Sequence, residues 1–352
     1  MTYIKTLLLL SLCLLLSGCN ADKKNTSLSK ASNTTIPQVS SVKLSILIND
    51  LRIREQPNPA SKVITKVSEN DTVVWKGEVS TNHNKIKLRS VIFNTPWIKI
   101  TSSDGSEGWL YSAAAKADAV RNSLNDKFNQ IRRDSFFGTK LSAQIEQYQK
   151  DYFAADTDKK FAMAYQTGQQ LRDEMVDILE KKAEVGSPHE MDMTWLEQIM
   201  PGYTLTYAAE GTKYYLLADF KKMQLQTSKT KGKADDDFLQ LANRIYDNDQ
   251  KESFFYSWFE QTWDYGGESL LGQGKHLDIL NQLSKFAKKT RLFAEQIKQY
   301  KSDLINDIAN KENTFKEPKS KRKLELEKII KQKPSILDAG DIAILKTVLK
   351  NL

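Results

Sequence analysis

Three groups of residues in this 352-residue chain have the types and spacing to do chemistry. The first is a thiol. Cys19 closes the run Leu16-Ser17-Gly18-Cys19, directly after an apolar stretch from Leu7 to Leu16 broken only by Ser11. A cysteine thiol there can act as a nucleophile, and the two residues before it are small. The second group is a pair of carboxyls among aromatics, Asp264 and Glu268 beside Trp263 and Tyr265. Apolar surroundings raise a carboxyl's proton affinity, which a general acid for glycoside cleavage requires. The third is the glycine-rich stretch from Gly266 to Gly274, followed by Lys275 and His276. A phosphate cradle of the Gly-x4-Gly-Lys-Ser/Thr kind needs a hydroxyl after the lysine and an earlier glycine at fixed distance. His276 and Ser269 occupy those two positions, so that chemistry is excluded.

Metal chemistry has less to stand on. His83, His189 and His276 are far apart and fall in no ligand spacing, so neither a metal nor another cofactor is expected. Asp235, Asp236 and Asp237 lack the spacing of a calcium loop and are read as acids in the first turn of a helix. Glu268-Ser269 is similar to the pair with which lytic transglycosylases place a general acid at a helix end. The downstream glycines and Met-Gln of that family's pattern are missing. The competing reading of residues 189–274 makes the many aromatics a helical core and the glycines a tight loop at a helix N-terminus.

The elements around these residues give the address. Residues 1–18 combine a short, weakly basic start with an apolar stretch too short to span a bilayer, which needs about 20 residues. With Leu16-Ser17-Gly18-Cys19 this resembles the leader and lipobox of bacterial lipoproteins. The resemblance implies cleavage before Cys19 and lipidation of its thiol, and two or more acyl chains anchor stably. Asn20 rather than an aspartate after the cysteine leans towards the outer membrane, on its periplasmic side. Residues 19–41 are rich in Ser, Thr, Asn and Lys and read as a flexible tether, with a reach of roughly 25 Å. Cys13 would leave with the leader, so no disulfide is expected and stability must come from packing. The net charge of +8 would suggest nucleic acid in the cytoplasm; with an export signal, anionic lipid or wall polymer is the better match, and no nucleic acid partner is expected.

Residues 42–115 read as a small β domain. Val42, Leu44, Ile46 and Ile48 alternate with Lys43, Ser45 and Leu47, the period of a half-buried strand. Further short strands follow at 63–67, 72–75, 85–88, 91–93, 97–100 and 108–110, the last pair joined through Asp104-Gly105. The run Leu51-Arg52-Ile53-Arg54 with Pro57, then Val63-Ile64, Trp97-Ile98-Lys99-Ile100 and Gly108-Trp109-Leu110, resembles the bacterial SH3 family. That resemblance implies an SH3-like barrel that binds peptidoglycan peptide or a protein. Arg54, Trp75, Trp97 and Trp109 are its candidate contacts. Against this, Trp97 and Trp109 occupy positions that the family buries, and Arg54 could pair with Glu55 or Glu107. The segment from Gly77 to Asn94 is longer than the usual connection and is expected to add a hairpin.

From 116 to 352 the period changes to that of helices, so the fold class is α+β and multidomain, a small β-barrel followed by a mainly α-helical domain. Leu277 to Ile308 reads as one long amphipathic helix, and Pro334-Ser335 opens a final short one. Between Lys311 and Leu352 eleven basic residues stand against six acidic ones, densest at Pro318-Lys319-Ser320-Lys321-Arg322-Lys323. The sequence therefore points to a non-catalytic envelope lipoprotein that binds peptidoglycan or an envelope protein. Its competitors are a glycan hydrolase with its site at Asp264 and Glu268, and a periplasmic ligand-binding or inhibitor protein using the aromatic region.

Overall fold

The computed structural model describes residues 40–118, 120, 122–183, 190–208, 213–262 and 266–352. The leader, Cys19 and the tether up to residue 39 lie outside them, as do His189, Glu210, Trp263, Asp264 and Tyr265. Among the described residues no helix is long and apolar enough to cross a membrane.

Seven strands form the N-terminal sheet: β1 (Val42–Ile46), β2 (Leu51–Arg54), β3 (Val63–Val67), β4 (Thr72–Leu88), β5 (Val91–Thr101), β6 (Glu107–Tyr111) and β7 (Ala115–Ala117). Their order is β3-β2-β6-β5-β4-β1-β7, so the small barrel expected from the sequence is a curled sheet whose described pairings do not close. The alternation in β1 does what its period requires: Val42, Leu44 and Ile46 are buried and Lys43 is exposed. The β5–β6 hairpin turns at Asp104-Gly105, where Asp104 accepts from the Ser102 hydroxyl at 2.6 Å and the Ser106 amide at 2.9 Å. Gly105 supplies the positive φ of +85°. The strands expected at 72–75 and 85–88 are one continuous β4 of 17 residues, with register shifts around Val79. With β5 it makes the long hairpin expected from the extra length after Gly77.

Helices α1 (Ser123–Phe137), α2 (Thr139–Ala154) and α3 (Asp158–Lys182) follow. Asn122 caps α1 through the amides of Leu124 and Asn125, and Thr157 caps α3. Then come α4 (Trp195–Ile199), a hairpin of β8 (Tyr203–Ala208) and β9 (Lys213–Ala218), α5 (Phe220–Thr227) and α6 (Ala234–Tyr246). Strands β10 (Phe259–Gln261) and β11 (Gly267–Ser269) pair antiparallel, and β12 (Thr314–Phe315) adds to β11 in parallel. Helices α7 (Lys275–Lys289), α8 (Ala294–Ala309), α9 (Lys319–Gln332) and α10 (Ala339–Asn351) complete the chain. The region after 116 is thus mainly helical but carries two small sheets. The Asp triplet opens α6 as expected, with Asp235 and Asp236 accepting from Thr230 and Thr227. Asp235 sits above the usual carboxylate range because burial disfavours its charge.

The single helix expected from Leu277 to Ile308 is broken at 290–293. Phe293 adopts a left-handed φ of +62°, which lays its ring on Phe238 with centroids 4.0 Å apart and planes within 3°. Tyr165 and Phe286 pack around that stack. Aromatic burial outweighs the local preference for a continuous helix at this point.

The sheet and the first helix share one core. Trp75 of β4 packs edge-on against Phe128 of α1 at 5.5 Å, and Phe93 of β5 meets Phe136 at 5.5 Å. Arg132, 2% exposed, donates to the Ala115 carbonyl at 2.6 Å and lies over the Trp195 ring at 4.4 Å. Burial pulls its proton affinity down, partly offset by Asp192. Around the edge, Lys116 pairs with Asp192 at 2.8 Å, Gln198 donates to the Ala117 carbonyl, and the Ser90 and Tyr214 hydroxyls meet at 2.8 Å.

Candidate functional site

Of the four proposed contacts in the β domain, the structure brings two together on one face of the sheet. Arg54 on β2 stands directly opposite Trp109 on β6, and Trp109 stands directly opposite Lys99 on β5. Directly opposite residues project from the same face of a sheet, so the three form one cross-strand row. The row exists because β6 can approach β2 closely. A Cβ on Gly108 would fall 2.6 Å from Ile53 Cγ2 and 2.8 Å from the Arg54 carbonyl oxygen. Only glycine fits there, which explains the Gly-Trp pair in the sequence.

Arg54 is 9% exposed and its guanidinium donates to the Ser61 carbonyl of the loop that folds over it. Neither Glu55 nor Glu107 pairs with it: Glu55 holds Lys62 at 2.9 Å and Glu107 faces Lys76 at 3.9 Å. No acid among the described residues neutralises Arg54, and burial together with the charge of Arg52 lowers its proton affinity. A largely desolvated cation without a counter-ion favours an incoming anion. Trp109 is half-buried, and its indole N–H has no hydrogen-bond partner among the described residues. Lys99 makes only an exposed pair with Glu78 at 3.6 Å, the kind worth little in water. The row therefore offers a buried cation, an indole with a free donor, and a second, loosely held cation.

Trp75 and Trp97 do not belong to that surface. Trp75 is 0% exposed, and its indole donates to the Glu78 carbonyl at 2.9 Å. Trp97 is 3% exposed, meets Tyr111 edge-on at 5.5 Å and donates to Asn84 at 2.6 Å. Both spend their faces and their N–H groups inside the core, which removes them as ligand contacts. Lys99 takes their place in the row; its position opposite Trp109 was written in the strand register, not in any motif.

The acidic candidates further on have another character. Glu268 on β11 faces Glu260 on β10, and Lys316 is bonded to Glu260. The Glu260 contact, with Glu268 nearby, raises the affinity of Lys316 for its proton. Glu268 thus sits in a surface charge cluster and not in an apolar pocket, while Asp264 lies outside the described residues. The glycine loop has a resident anion of its own. Glu325 of α9, 4% exposed, accepts from the amides of Gly272 at 2.5 Å, Gly274 at 2.9 Å and Leu277 at 3.1 Å. A carboxylate of this chain occupies the helix N-terminus where a phosphate would otherwise sit.

Sequence reasoning missed one polar cluster. Asp307 of α8 accepts from Ser269 and His276, both at 2.7 Å to the same oxygen, and Asn313 donates to its other oxygen at 2.8 Å. Ser269 and His276 are both 0% exposed. A serine nucleophile needs the imidazole on its hydroxyl, with the carboxylate behind the imidazole. Here the carboxylate stands between them, so the trio ties β11, α7 and α8 together and cannot activate the serine. Among the described residues no group of three or more His, Cys, Asp or Glu could hold a metal ion.

Residues 49–115 match the bacterial SH3 domain family. No curated protein and no solved structure matches the chain.

Proposed function

We propose that this protein is a lipid-anchored, non-catalytic component of the bacterial cell envelope that binds peptidoglycan peptide through its SH3 domain. The reading is supported chiefly by the row Arg54–Trp109–Lys99 within the matched segment. Bacterial SH3 domains commonly bind peptidoglycan or proteins, and the chemistry of this row suits a short peptide. A peptide carboxylate would settle against Arg54 and Lys99 as a charge-assisted contact. The Trp109 indole would lie along an extended backbone and donate to one of its carbonyls. An envelope protein with an acidic segment would use the same surface.

The anchor is Cys19. Lipid on its thiol and cleavage of the leader would place the domain on the periplasmic side of the outer membrane, with the tether setting how far it reaches. Cys19→Ser should move the protein from the membrane to the soluble fraction or block its maturation. Unchanged membrane recovery, or a native Cys19 without lipid by mass spectrometry, would remove the anchor from this reading.

Wall binding is tested by sedimentation with purified sacculi. Trp109→Ala, which removes a half-buried indole at the edge of the core, should lower retention by about thirtyfold or more, as expected for a hot-spot tryptophan worth about 2 kcal/mol or more. Arg54→Gln should weaken retention and reduce its sensitivity to salt. Retention of Trp109→Ala equal to that of the unmodified protein would refute the row as the contact surface.

A further inference from the structure

A second surface lies at the far end of the chain. A groove of about 760 Å³ runs between the end of α8, β12, α9 and α10. Its volume falls within the roughly 300–1,000 Å³ of small-ligand sites. Leu271, Ile308 and Phe315 line the floor, and Ile344 and Val348 line one wall. Helix α10 is responsible for that wall. Leu345, 0% exposed, faces the core, while Ala343, Ile344 and Thr347 lie on exposed positions of the same helix. Ile344 keeps 43% of its surface in water.

The charge at the groove is one-sided. Lys311 and Arg322 line it, and no aspartate or glutamate does. Neither cation has an acid partner among the described residues. The guanidinium of Arg322 lies over the Phe315 ring at 4.3 Å, and its Nε is shut off from solvent with no hydrogen-bond partner. By contrast, the cleft of about 700 Å³ between α3 and α8 is lined by both signs of charge, and its deeper groups are already paired: Arg172 with Glu252, and Tyr256 with Asp303.

We propose that the α8–α10 groove binds a single-chain anionic amphiphile, a long-chain fatty acid, with its hydrocarbon along Ile308, Ile344 and Val348 and its carboxylate on Arg322 and Lys311. The concave shape suits one chain in preference to a flat bilayer surface. The absence of aspartate and glutamate side chains from the lining disfavours a cationic headgroup. This inference does not depend on the SH3 surface, which lies in another part of the fold.

The test uses the compact unit from Pro37 to Leu352, which carries every described contact and needs no detergent. It is titrated with dansylated undecanoic acid, and oleate is then used as competitor. A rise in dansyl fluorescence that oleate reverses is expected. Ile344→Glu, at an exposed position that tolerates a charge, should weaken the probe by about tenfold or more. Arg322→Gln should weaken oleate by about tenfold while leaving oleyl alcohol unchanged, and Arg322→Lys should retain part of the oleate affinity. Melting curves verify that each variant is folded. Absence of any fluorescence rise would overturn the proposal. So would equal binding of oleate and oleyl alcohol. Binding to anionic vesicles that requires Ile344, without binding of the monomeric acid, would assign the groove to a membrane surface instead.

Discussion

Replacing Glu325 by alanine is expected to destabilise the protein by about 3–5 kcal/mol, as read from the midpoint of urea or thermal unfolding. The carboxylate is 4% exposed and serves three backbone amides, those of Gly272, Gly274 and Leu277. These amides include donors at the start of α7, which have no partner within the helix. Removing one side chain leaves all three unmet in a site with little access to water, and it also takes away the negative charge that favours the positive end of the helix. It further unties α9 from the loop, because Gly272 packs against the backbone at Lys321 and Arg322 so closely that a Cβ would fall 3.1 Å from the Arg322 nitrogen. Glu325→Gln keeps an acceptor without the charge and should lose about half as much. A Glu325→Ala protein within about 1 kcal/mol of the unmodified one would mean that water serves those amides as well as the carboxylate does.

The second large effect separates two tryptophans that look alike in the sequence. Trp75→Ala should cost about 3–5 kcal/mol, because the indole is 0% exposed and the sheet and α1 close over it from both sides. Its loss would also strand the Glu78 carbonyl that its N–H now serves. Trp109→Ala, half-buried and without a hydrogen bond of its own, should cost much less stability while abolishing most wall retention. The pair is measured by denaturant unfolding beside sacculus sedimentation. If Trp75→Ala were stable and deficient in binding, the assignment of core and surface would be reversed.

Much of the architecture was legible because its signals are local. The alternation from Val42 to Ile48, Asp104-Gly105 between strands and the acids that open α6 each declare their element within a few residues. The small sheets beyond residue 200 carried a signal as well: Tyr203, Leu205 and Tyr207 alternate, as do Tyr214, Leu216 and Ala218. That period of two was masked by the density of aromatics, which reads equally well as helical core. The break at Phe293 was not legible, because its cause is a stacking partner on α6 about fifty residues earlier. The surface row failed in the same way. A motif names Arg54 and Trp109 but cannot say which face they share, whereas the pairing register with Lys99 decides it. Trp75 resists assignment from sequence because aromatic residues serve cores and binding surfaces alike, whereas the family resemblance already implied a buried Trp97.

The shared packing of β4 and β5 against α1 limits where the chain can be cut. The family likeness ends at residue 115, yet the physical seam does not. Trp75 and Phe93 complete themselves only with Phe128 and Phe136, and the Ala115 carbonyl is answered by Arg132. An excised SH3 segment would bare an oily flank and tend to clump. The segment that matches the family and the unit that melts are therefore different objects, and transplanting the Arg54–Trp109–Lys99 row into another scaffold would require carrying the first helix along with it.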